Sequence, residues 1–214
     1  MKNDHRQAIL HFIRSLGKIR PEAGQSWSNL YAGRSKASRL RRHNLQRYLE
    51  QLAARQPRLL FLGEAPGYKG CRLTGVPFSS EKLIHNHPFF RQQGYELLHE
   101  NDKLQSEQSA RIVWEALDDF EVLPLIWNIF PFHPHAPGNS KSNRTPTKKE
   151  LELGQPYLEQ LLEIFPIAHI LAVGKKAAMM LEKEDIPHSC LRHPAHGGKT
   201  QFREQLAAFL KKNQ

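Results

Sequence analysis

The residues best suited to chemistry fall in three short stretches of the sequence. They are GEAPG at Gly63–Gly67 with GVPF following at Gly75–Phe78, a single Asn128 inside PLIWNIF, and RHPAHGGK at Arg192–Lys199. Together they supply an acid, Glu64, an amide, Asn128, and an imidazole, His193, types suited to proton transfer and to hydrogen-bonding a group on which charge develops. The run from Gly63 to Gly67, with Ala65 and Pro66 between, opens the backbone so that its amides can approach a ligand closely. Each stretch also has a plainer reading. GEAPG can be only a tight turn, Asn128 a strand end and His193 a satisfied structural histidine.

What separates these readings is where the stretches sit. Arg58–Gly63, Pro124–Phe130, His169–Gly174 and Ser189–Pro194 are short apolar runs that read as strands. Helical periodicity fills the gaps at Ser106–Phe120, Lys148–Ile164, Lys175–Glu184 and Lys199–Lys212, with Thr147 and Glu150 spaced as a capping box. Alternation of this kind predicts an α/β fold, a three-layer sandwich around a mostly parallel four-stranded sheet. Glu64, Asn128 and His193 all follow or end a strand, so the carboxyl rim of the sheet would gather them in one crevice. Two helical patterns precede the sheet, His5–Leu16 and Ser38–Ala54, giving residues 1–56 as a helical extension packed on a domain at 57–214. The stretch Pro131–Pro146 reads as a long surface loop.

Lys and Arg number 31 against 21 acidic residues, a net +10 that favours a polyanionic partner. Arg39, Arg41 and Arg42 crowd one face of the second helix, either as a solvated face or as a contact for phosphates. No run approaches the about 18 apolar residues of a spanning helix, and the amino terminus lacks the apolar core of a signal peptide, so a cytoplasmic protein with no membrane partner is expected. With Cys71 and Cys190 alone there is no disulfide framework and no four-thiolate metal site. The histidines of His133–His135 lack a nearby carboxylate or thiolate, and no metal is expected there.

In this order on these strand ends, the motifs resemble the uracil-DNA glycosylase superfamily. GEAPG and GVPF are similar to the first motif of its iron-sulfur class, and Asn128 followed by Asn143, Arg144, Pro146 and Thr147 is similar to the next. The segment Val173–Ala178 and the triplet His193–Ala195 complete the set, and the resemblance runs from about Pro57 to the carboxyl terminus. The positions where that class has cluster cysteines hold Phe132 or His133 and Gly154, so neither a cluster nor any other cofactor is expected. The spacing from Gly63 to Gly75 instead matches the broad-specificity class, with Glu81 where that class has an aspartate.

The resemblance implies a monofunctional enzyme, working as a monomer on single- or double-stranded DNA of the nucleoid, that flips uracil from the stack and hydrolyses its glycosidic bond in base excision repair. Phe78 would stack on the base, Asn128 read its edge, and His193 donate to the oxygen that gains charge. The catalytic acid is Glu64 or Glu81, because the two class resemblances nominate different residues. Arg144, His196, Lys199 and Arg203 would join the basic helix in holding DNA. Gly67 stands where uracil-specific relatives have a tyrosine wall, and Tyr68 is the candidate replacement. Without such a wall the pocket admits a C5-substituted pyrimidine, such as a modified cytosine of phage DNA. A non-catalytic DNA-binding module on the same scaffold is the remaining alternative.

Overall fold

A computed structural model describes residues 2–91, 93–100 and 102–213 of the chain. The chain opens with α1 (Lys2–Leu16), β1 (Trp27–Ser28) and α2 (Lys36–Ala53), then enters the sheet with β2 (Leu59–Gly63). Two short helices, α3 (Cys71–Thr74) and α4 (Glu81–Asn86), lead to α5 (Gln108–Asp119), β3 (Leu125–Asn128) and β4 (His133–Pro134). The remainder alternates as α6 (Lys148–Ile164), β5 (His169–Val173), α7 (Lys175–Lys183), β6 (Ser189–Leu191) and α8 (Lys199–Lys212).

The main sheet has the order β3-β2-β5-β6, and each pairing is parallel. Every residue of β2 and β3 is buried, as expected for strands covered on both faces, and helices complete a three-layer α/β sandwich. After β2 the chain places β3 on one side and β5 on the other, so the direction of winding reverses beside β2. A reversal of this kind opens a crevice beyond the carboxyl ends of the strands. Gly63 ends β2 there, with Glu64 immediately after it.

The helices before the sheet are tied to it by buried side chains. Leu45, Tyr48, Leu49 and Leu52 of α2 are fully buried, each contributing about 1.5–3 kcal/mol by leaving water. Tyr48 also serves the unpaired, buried edge of β3. The Ile126 N–H has no strand partner on that side and donates to the Tyr48 hydroxyl at 2.8 Å. Ser35 caps α2, its hydroxyl accepting the Ser38 N–H, and α6 starts with the expected capping box between Thr147 and Glu150.

The stretch after β3 departs from a simple surface loop. Phe132 and His133 are completely buried, and β4 pairs antiparallel with β1. Phe132 stacks on Trp27 at 5.0 Å and meets Tyr157 edge-on at 5.8 Å. A Cβ on Gly154 would lie 1.7 Å from the Ile129 carbonyl oxygen, so α6 packs directly on the chain leaving β3. Aromatic rings and close backbone therefore fill the positions that carry cysteines in the iron-sulfur class. These residues do not fit a cluster, which needs thiolates.

Candidate active site

Beyond the carboxyl ends of the strands lies a cleft of about 470 Å³. Glu64, Ala65, Pro66 and Gly67 from the β2 loop, Phe78, Asn128 from β3, and His193 with His196 from the β6 loop all line it. Segments far apart in sequence thus meet around one space. Packing is tight at Gly63, where a Cβ would fall 2.3 Å from the Phe78 ring and 2.8 Å from Asn128 Oδ1. Only glycine lets ring and amide share that floor.

Phe78 holds a left-handed backbone conformation, φ 47°, and its carbonyl accepts the Trp114 indole N–H at 2.9 Å. That bond and the surrounding core fix the ring in place. Asn128 is 2 % exposed, and its Oδ1 has no hydrogen-bond partner. A buried acceptor without a donor costs stability, so its retention in a cleft marks a place for a ligand N–H.

The Nδ1 of His193 accepts the backbone N–H of Ala195 at 3.3 Å, which places the proton of the neutral ring on Nε2. Burial, then the charges of His196 and Arg192, hold its pKa below the ordinary histidine value. At neutral pH it is therefore a neutral donor. Glu64 is shifted the other way. Burial raises its pKa, and the Lys176 charge and the Thr145 side chain partly oppose that rise. A carboxyl poised above its usual range suits exchange of a proton with water.

The two candidate acids separate cleanly in space. Glu81 does not line the cleft; it is 1 % exposed, and its oxygens accept the backbone N–H groups of His99 and Gln105, each at 3.0 Å. Its carboxylate ties the backbone at His99 and at Gln105 to α4. Arg144 reaches the cleft wall but pairs with Glu150 at 2.6 and 2.7 Å and donates to the Ser26, His135 and Thr145 carbonyls. It is a clamp on its own loop rather than a free cation for phosphate. Lys199 and Arg203 pair with Glu115 and Asp119 of α5, at 2.9 and 2.7 Å.

The basic face of α2 is likewise partly committed. Arg39 donates to the Arg34 carbonyl, and Arg42 to those of Tyr31 and Gly33. Arg41 turns inward, and its Nε is buried without a partner. His196 stays exposed at the mouth of the cleft with φ 52°.

Asn143, which the second motif includes, lines the cleft as well. Other residues of the site were not apparent from the motifs: Glu107 and Ser109, at the start of α5, line the cleft, as do Cys71 and Thr145. Burial pushes the Cys71 thiol up to about 12, which makes it inert as a nucleophile. Cys190, in β6, is exposed. With Glu182 and His188 it brings three possible ligand atoms within 4.8 Å of one another, outside the cleft. The ring nitrogens of His133 and His135 all lie within hydrogen-bond distance of carbonyls or the Ser28 hydroxyl, as structural histidines do.

Among the described residues no helix is long and apolar enough to cross a membrane. The chain is similar over 98 % of its length to a solved structure described as wild-type Pedobacter heparinus SMUG2, of which 98 % is covered, with a TM-score of 0.71 and 18 % identity. At that identity the likeness concerns the fold. A search of curated proteins finds no match. A sequence-family description, the uracil DNA glycosylase superfamily, matches residues 49–212. That match takes in the whole cleft and most of the chain, and by it the protein belongs to the uracil DNA glycosylase superfamily and is a DNA glycosylase.

Proposed function

We propose that the enzyme releases uracil from DNA, acting as a monomer on a nucleotide flipped into the cleft and leaving an abasic site. The observation that carries this reading is the unpartnered Oδ1 of Asn128, held beside the Phe78 ring over Gly63. With the base stacked on Phe78, that oxygen accepts the N3–H of uracil while the amide nitrogen donates to O4. Stacking offsets part of the lost duplex pairing, at about 1–3 kcal/mol per base.

His193 donates through Nε2 to the base O2, on which negative charge grows as the bond from C1′ to N1 breaks. A neutral donor in a dry site stabilises that charge more in the transition state than in the bound substrate. Glu64 orients a water toward the cationic C1′ and takes its proton as the new bond to oxygen forms. The base leaves as an anion and the sugar gains a hydroxyl. Measuring alkali-sensitive abasic sites in single- and double-stranded oligonucleotides containing one uracil tests the reading. Absence of uracil release from both would overturn it.

A second reading is favoured by Gly67. A Cβ there would find its nearest neighbours, Asn143 Nδ2 and Glu107 Cγ, only at 4.0 Å. The space suits a C5-substituted pyrimidine, including a modified cytosine of phage DNA. Oligonucleotides carrying such bases, assayed beside uracil, distinguish the two.

A further inference from the structure

We propose that Glu182, His188 and Cys190 form a structural site for a zinc ion, which clips the end of α7 to the edge strand β6. The site lies outside the cleft and does not depend on the glycosylase reading.

The backbone brings the three residues together. β6 is the last strand of the sheet and pairs only with β5, Cys190 standing opposite Ala172. Residues two apart along a strand project to one face, which puts His188 beside Cys190. Glu182 lies in the last turn of α7. The turn that follows is fixed by the Asp185 N–H donating to the Glu182 carbonyl at 3.2 Å and the Ile186 N–H to that of Leu181 at 2.9 Å. One possible ligand atom from each residue then lies within 4.8 Å of the other two. Atoms around a tetrahedral zinc stand about 3.3–3.6 Å apart, given bonds of about 2.0–2.3 Å. Rotation of the exposed Glu182 and Cys190 side chains closes a difference of this size.

The donors are unengaged and of a suitable kind. Cys190 is a free thiol, and among the described residues neither it nor the Glu182 carboxylate has a hydrogen-bond or ion-pair partner. The adjacent cation, Lys183, is held by Glu152 and Glu184 at 3.0 and 3.2 Å. The Nδ1 of His188 stands 2.9 Å from the Ile186 carbonyl oxygen. A carbonyl only accepts, so Nδ1 of the neutral ring carries the proton and Nε2 keeps its lone pair. Metal-binding histidines are oriented by an outer hydrogen bond of this sort. Thiolate, imidazole and carboxylate together select a borderline-soft ion such as zinc, whereas magnesium and calcium take oxygen ligands. Water completes the four-coordination.

β6 has three residues and one neighbour, so it is a weak edge by itself. It leads directly into Arg192 and His193, and its Leu191 carbonyl accepts the Gly174 N–H at 2.9 Å. A clip from α7 to β6 therefore steadies the unit that carries the loop of His193.

Zinc titration of the full chain, stripped with a chelator and kept reduced, tests the site. Calorimetry should show one zinc bound per chain, with neither magnesium nor calcium competing. Zinc at about 100 times its Kd should raise Tm by about 5–10 °C. Cobalt in place of zinc should give a thiolate-to-metal charge-transfer band, which Cys190→Ser should erase. Cys190→Ser, His188→Ala and Glu182→Gln should each weaken zinc binding by about tenfold or more, at least the loss that follows removal of an outer partner. Should one variant not fold, the other two and the wild-type cobalt spectrum still decide. Zinc bound as tightly by the folded variants as by wild type, zinc bound only as chains dimerise in sedimentation, or an unchanged wild-type Tm would each overturn the site. None of these readouts involves base release, so failure here leaves the glycosylase reading untouched.

Discussion

The backbone N–H of Ala195 and the Nδ1 of His193 are joined at 3.3 Å, so a residue two positions along the same loop selects the tautomer of the imidazole. The proton on Nε2 is then available to the cleft without the ring being charged. His193→Ala should lower base release by about 10²–10³-fold, the usual cost of losing one donor to a developing anion. DNA affinity, read by fluorescence anisotropy, should change little, because the lost contact belongs to the transition state. Equal losses of binding and turnover would assign His193 to DNA contact instead.

Glu64 should impose an acid limb on the rate. Its carboxylate form is needed, and burial lifts its pKa above the usual range, so single-turnover release should begin to fall at a higher pH than an ordinary carboxylate would give. Glu64→Gln should remove that limb together with about 10²–10⁴-fold of the rate. Stability should move oppositely. A raised folded pKa means stability is fully present below the unfolded pKa and is lost as pH rises through the folded one. Glu64→Gln should therefore raise Tm at pH 8, with the gap to wild type closing toward pH 4.

Glu81 offers the contrasting case of an acid used for architecture. Glu81→Ala strands the N–H groups of His99 and Gln105, at about 1–3 kcal/mol each. Denaturant unfolding should show the loss, and the surviving folded fraction should retain the acid limb that belongs to Glu64. A folded Glu81→Ala enzyme lacking turnover would reinstate it as the catalytic acid.

Gly63→Ala tests the shared floor of the cleft. Its methyl would need room now held by the Phe78 ring and the Asn128 amide, so both must shift. Overpacking of this kind costs about 1–3 kcal/mol. Turnover on uracil should fall more steeply than stability, measured by thermal unfolding and single-turnover release on the same preparation.

The sheet was legible because its strands are apolar runs buried on both faces and punctuated by glycine and proline, a pattern that little else produces. The capping box at Thr147 and Glu150 was legible for a similar reason, two residues at a spacing with one physical use. The pairing of Trp27–Ser28 with His133–Pro134 was not, since two-residue strands carry no periodicity. Charges were read least well. Sequence shows that Arg144, Lys199 and Arg203 are cationic but not that Glu150, Glu115 and Asp119 stand against them. Glu107 was missed because an acid just before a helical apolar stripe looks like an ordinary cap, and only the folded turn at Gly67–Gly70 reveals what it faces.

The packing of Phe132 between Trp27 and Tyr157, at a position that the resemblance to the iron-sulfur class assigns to a cluster cysteine, has a consequence for how the enzyme comes to exist in a cell. A core closed by these aromatic rings offers no thiolate to hold iron there, and oxidants that dismantle inorganic clusters find nothing to attack at that spot. Aerobic expression under iron starvation should yield the same fold.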